Sequence, residues 1–125
     1  MIAADTSAVL HFLHGFEGPA RILVRNALAA ERLVLPPVVV TELLSGLHRE
    51  PELAEMLAGS TVVPLMEGYW ERTGETRRRL HARGLRRRLA DSLVAQACID
   101  SDLPLIAGDT DFRHFATHCG LTLAT

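Results

Sequence analysis

Leu105-Ile106-Ala107-Gly108-Asp109-Thr110-Asp111-Phe112 is the stretch on which the fold turns: a short apolar run that gives way at once to two carboxylates. A run of this length bounded by Gly reads as a strand buried on both faces. The start of the chain, Met1-Ile2-Ala3-Ala4-Asp5-Thr6-Ser7, has the same pattern, an apolar strand ending on an acid. Leu33-Val34-Leu35, stopped by Pro36-Pro37, and Thr61–Val63 are further strands, with Leu121–Leu123 a short last one. Between them lie segments of helical spacing. Thr6 or Ser7 caps a helix through Phe12, and Pro19 opens one to about Arg32. Others are predicted over Val38–Arg49, Pro51–Ala58, Glu67–Ala82, Asp91–Ser101 and Asp111–His118. Short apolar strands alternating with helices predict an α/β fold, a three-layer α/β/α sandwich around a central parallel sheet. Sites in such sheets form beyond the C-terminal ends of the strands, where Asp5, Asp109 and Asp111 fall.

The chain has 125 residues and is 48% hydrophobic and 22% charged, which suits one domain over residues 1–125 with a real core. No apolar run reaches the ~18 residues of a membrane span, and no signal peptide is visible at the N-terminus. Cys98 and Cys119 show no CxxC pairing or disulfide-framework spacing, so a reducing cytoplasm is expected, with both as small core residues. All 13 basic residues are Arg. Without Lys the chain cannot be a P-loop NTPase. Eight of the arginines lie between Glu67 and Arg88, which gives that segment +5 after Glu67, Glu71 and Glu75 and leaves −7 for the rest. An acidic body with one basic strip suits a polyanionic partner.

Several residues carry more than one reading. At 100° per residue Asp91 projects onto the apolar arc of Val94, Ala95, Cys98 and Ile99. It is either the N-cap of its helix or a core-facing carboxylate that needs a cation, a metal or hydrogen bonds. Glu42 lies off its helix's apolar face beside Val38, Ser45 and Gly46, where small neighbours leave room for a ligand. Arg78 and Arg79 follow Glu75 at ion-pair spacing. Arg83, Arg86, Arg87 and Arg88 have no nearby acid before Asp91 and are the candidates for contact with the phosphates of a polyanion. Tyr69, Trp70, Thr73 and Leu80 share a stripe that reads as core. His114 and His118 have ligand spacing, but without an HExxH or Cys/His quartet they read as a solvated helix face. Ser7 lacks the context of a nucleophile elbow.

Taken together, Asp5-Thr6-Ser7, Glu42 in Val40-Thr41-Glu42-Leu43, Asp91 in Leu89-Ala90-Asp91-Ser92-Leu93 and Asp109-Thr110-Asp111-Phe112 resemble, in this order, the PIN-domain ribonucleases. The chain looks most like the VapC-type toxins of toxin–antitoxin pairs. The resemblance implies a metal-dependent ribonuclease whose acidic quartet, Asp5, Glu42, Asp91 and Asp109, holds Mg²⁺ or Mn²⁺. Asp111 is a possible additional acid, and Thr6 matches the hydroxyl that follows the first Asp. One departure is Ala107, where the family often has Thr or Ser. The resemblance also implies an RNA substrate, a cognate antitoxin, a homodimer and no membrane. A receiver domain or a haloacid-dehalogenase-type phosphatase would need a Lys, which is missing. The rival from another class is a catalytically silent PIN-like module that binds RNA or protein.

Overall fold

The computed structural model describes residues 1–46 and 51–124. Four strands, β1 (Ile2–Ala4), β2 (Leu33–Leu35), β3 (Thr61–Val62) and β4 (Leu105–Ile106), form one sheet in the order β3-β2-β1-β4. Every pairing is parallel. The helices are α1 (Thr6–His14), α2 (Pro19–Ala29), α3 (Pro37–Leu44), α4 (Leu53–Ala58), α5 (Tyr69–Ala82), α6 (Leu89–Asp100) and α7 (Arg113–Cys119). α1 packs on α2, while α5, α6 and α7 pack on one another and α3 leans on α6. The helices flank the sheet, giving the expected α/β/α sandwich. None is long and apolar enough to cross a membrane.

Topology positions the site. From β1 the chain moves to one side, to β2 and then β3, and returns on the other side of β1 as β4. The strand order therefore reverses between β1 and β4, and a crevice opens there at the C-terminal edge. The Asp5 N–H still bonds the Ile106 carbonyl at 3.0 Å, which ties the two strand ends together. The core beneath contains Leu33, Leu35, Ile106 and Val94, all nearly inaccessible to solvent. Phe112, only 1% exposed, anchors the segment carrying Asp109 and Asp111, with its ring 6.0 Å from that of Phe115. Burying a Phe contributes about 1.5–3 kcal/mol, so this acidic loop is held down by apolar packing.

Several element ends differ from expectation for local reasons. Asp5, not Thr6 or Ser7, caps α1, and the helix runs past Phe12 to His14 before Gly15 closes it in the left-handed region, φ 72°. α2 stops at Ala29 and the chain turns at Glu31, φ 55°. α3 begins on Pro37, which needs no N–H in the first turn. Its described part ends at Leu44, and the predicted Leu47–Arg49 portion lies outside the described residues. α5 starts at Tyr69 because Gly68 has φ 82°, and α6 starts two residues early, at Leu89. α4 and α7 start two residues late. β3 is an exposed edge strand, not buried on both faces. The final strand reduces to a single bridge between Leu105 and Leu123.

Candidate functional site

Asp5 follows β1 directly and is 4% exposed. Its Oδ1 accepts the N–H groups of Ala8 at 2.7 Å and Gly108 at 3.2 Å. The Ser7 hydroxyl donates to the carboxylate, 3.1 and 3.0 Å from its two oxygens. Burial nevertheless dominates and pushes its pKa up to about 6, the hydrogen bonds pulling down and the Asp109 charge adding a little. Asp91 is not a cap. Arg88 is the N-cap residue of α6, and Asp91 lies in the first turn, half-buried. Its pKa also rises to about 6, first through burial, then through the charges of Asp111 and Asp109. Arg88 opposes that rise, and Glu42 adds to it.

Glu42 is exposed on α3 but does not wander, because the Thr6 hydroxyl donates to its Oε1 at 2.6 Å. Asp109 accepts the Asp111 N–H at 2.9 Å, folding the loop into an Asx-turn. Asp111 faces the Arg86 guanidinium at 3.8 Å. All five carboxylates line one cleft of about 210 Å³, together with Thr6, Ser7 and Arg88. Among the described residues no three His, Cys, Asp or Glu side chains already close on one point that could hold an ion. The acids share a cleft but stand apart in it, as mutually repelling charges do.

Two residues outside the predicted set build this arrangement. Ser7, without the setting of a nucleophile, instead holds Asp5, and so supplies a hydroxyl where Ala107 has none. Gly108 brings its backbone against α1. A Cβ there would collide with the Ser7 hydroxyl oxygen and come within 2.7 Å of the Ala8 nitrogen. The only advance signal was its place, between an apolar run and the Asp-x-Asp.

The basic loop divides. Arg88 lines the cleft and Arg86 meets Asp111, so the segment is not free of acids. Arg87 turns back to α5, where its guanidinium meets His81 Nδ1 and its own carbonyl accepts from Arg77. Arg83 is exposed and does not line the cleft. Arg78 pairs with Glu75 at 3.9 Å, whereas Arg79 donates to the His118 carbonyl. Tyr69, Thr73 and Leu80 are buried as expected, but Trp70 is 65% exposed. It follows Tyr69 by one helical step, and Tyr69 is committed inward by donating to the Leu93 carbonyl at 2.6 Å. Cys98 is buried, Cys119 only half so.

Comparison with known proteins decides the family. The model of the PIN domain family matches residues 2–117. The chain belongs to the PIN domain family. No curated protein matches it in sequence. In fold this PIN domain is similar to a chain of VapBC2 from Rickettsia felis bound to a promoter DNA fragment, with TM-score 0.77 and 18% identity. It is similar as well to a chain of DNA-bound VapBC from Salmonella typhimurium, with TM-score 0.76 and 20% identity. Each comparison covers 99% of this chain and 98% of the other. The donors of the PIN cleft are carboxylate and hydroxyl oxygens, with no thiol or imidazole among the lining residues. That set suits hard divalent cations such as Mg²⁺ and Mn²⁺, and added positive charge would offset the burial and the smaller acid–acid repulsion that raise Asp5 and Asp91.

Proposed function

We infer that this PIN domain is a Mg²⁺- or Mn²⁺-dependent ribonuclease, the toxin of a toxin–antitoxin pair acting in the cytoplasm. The observation that carries the reading is the gathering of Asp5, Glu42, Asp91 and Asp109 from four separate segments into one cleft at the strand-order reversal. PIN domains are typically divalent-metal-dependent nucleases, and the fold likeness to chains of VapBC complexes supports an antitoxin as the partner. A homodimer is expected from the family resemblance.

Asp5, Asp91 and Asp109 would hold the ion. When bound, it supplies a Lewis acid that screens phosphate oxygens and makes water a stronger acid. The remaining work belongs to the chain. Glu42, positioned by Thr6, orients the attacking water or helps hold the ion through one. Arg88 offsets the phosphate charge that the acids would otherwise repel. Water adds at phosphorus, the bond to the 3′ oxygen breaks, and that oxygen leaves with a proton. The products carry 5′-phosphate and 3′-hydroxyl ends.

The test is RNA cleavage by purified protein with Mn²⁺ or with EDTA, beside Asp5→Asn and Asp109→Asn. Metal-dependent cleavage that both variants lose, with 5′-phosphate ends, supports the reading. RNA binding without turnover under every condition would return the silent-module alternative.

A further inference from the structure

A second cavity, of about 290 Å³, is lined by Gly74, Arg77, Arg78, His81 and Arg87. The four lining residues from α5 are spaced i, i+3, i+4 and i+7, so they form one helix face, and the loop before α6 adds Arg87. Two of the guanidiniums are half-buried and fixed. Arg77 donates through Nε and Nη2 to the Arg87 carbonyl at 3.3 and 3.2 Å. Arg87 donates to the Leu85 carbonyl at 3.2 Å and meets His81 Nδ1. No carboxylate lines the cavity, and the cluster's one described ion pair is the solvent-exposed Arg78–Glu75 contact at 3.9 Å. Gly74 adds no side chain to the lining, and a Cβ there would meet nothing within 4 Å.

Main-chain carbonyls can orient guanidiniums but cannot neutralise them. In a chain of net charge −2, two adjacent oriented arginines with no lining acid are complementary to an anion. The neighbours of Arg87 say which one. Arg88 lines the acidic cleft and Arg86 reaches Asp111 at its side, so a single short loop serves both places. We propose that the Arg77–Arg87–His81 cavity is a second phosphate subsite, gripping the backbone of an RNA strand a few nucleotides from the phosphate held in the acidic cleft. This rests on the ribonuclease reading above and names where its substrate is held.

The experiment is fluorescence anisotropy of a labelled short single-stranded RNA, titrated in EDTA over a range of salt. Arg77→Gln/Arg87→Gln should lose two phosphate contacts, lowering the slope of log affinity against log salt by about 1.4, or roughly 25-fold in affinity at about 0.1 M salt. Gly74→Leu adds bulk to the lining while keeping every charge and removes a helix-interior glycine. It should fold at least as well as the parent and still bind RNA several-fold more weakly. Arg25→Gln, far from both places in sequence and lining neither, should bind like the parent. Both test variants binding like the parent, while the parent cleaves RNA with Mn²⁺, would overturn the subsite and leave the ribonuclease reading standing. A parent that binds through the cavity but never cleaves would uphold the subsite and sink the ribonuclease reading. A parent that neither binds nor cleaves RNA would sink both.

Discussion

Asp91→Asn in metal-free protein separates a metal site from a structural carboxylate. A pKa raised from 3.8 to about 6 corresponds in full to about 3 kcal/mol of instability at neutral pH. Asp91 is only half-buried, so water screens part of this, leaving about 1.5 kcal/mol. An acid in the first turn of a helix is favoured by the dipole by roughly 0.5 kcal/mol, which Asn forfeits. The net expectation is a gain of about 1 kcal/mol, or roughly 4 °C in melting temperature for a domain of this size. The pH dependence has a definite sign. A carboxyl whose folded pKa exceeds its unfolded value binds protons more tightly in the folded state. The stability of the metal-free parent therefore falls as pH rises from about 4 through about 6. The advantage of the variant should be present at pH 7.5 and vanish near pH 4. The assay is calorimetry in EDTA at both pH values, repeated with millimolar Mn²⁺, which should stabilise the parent and not the variant. An Asp91→Asn variant less stable than the parent at pH 7.5 in EDTA would refute the reasoning, since it would make Asp91 a paired structural group.

Gly108→Ala should cost about 1–3 kcal/mol in urea unfolding, because its Cβ meets the Ala8 backbone as well as the flexible Ser7 hydroxyl. Ser7→Ala removes the side-chain donor from Asp5 and should weaken Mn²⁺ binding about tenfold, read by calorimetric titration. Thr6→Val frees Glu42 by deleting a 2.6 Å bond. It should lower the RNA cleavage rate about tenfold while shifting stability by under about 1 kcal/mol, since the bond is solvent-exposed. Phe112→Ala should cost about 3–5 kcal/mol, and in variant that remains folded cleavage should fall with it.

The sheet and the acids were legible because both follow from periodicity and strand ends. Asp5 directly follows a short apolar run, Asp109 follows one after Gly108, and the Asp91 side chain projects onto its helix's apolar arc. What escaped depended on contacts distant in sequence. Ser7 and Gly108 are 101 positions apart and meet only because β1 pairs with β4. Arg86, Arg87 and Arg88 are identical in chemistry and consecutive, yet face an acid, α5 and the cleft respectively. Outside a regular helix no fixed period says where successive side chains point. Trp70 looked like core by stripe, but once Tyr69 is anchored inward the next residue is carried toward solvent. Helix ends at Glu31 and Gly68 were set by single left-handed residues, which propensity alone marks poorly for a Glu.

The central claim is that the separate carboxylates act as one divalent-cation site. Calorimetric titration of Mn²⁺ into metal-free parent, Asp5→Asn, Asp91→Asn and Asp109→Asn at pH 7.5 tests it most directly. The account predicts saturable binding by the folded parent and at least tenfold weaker binding by each variant, with melting confirming that all are folded. Parent-like binding in all three folded variants, or no binding by the parent, would contradict it.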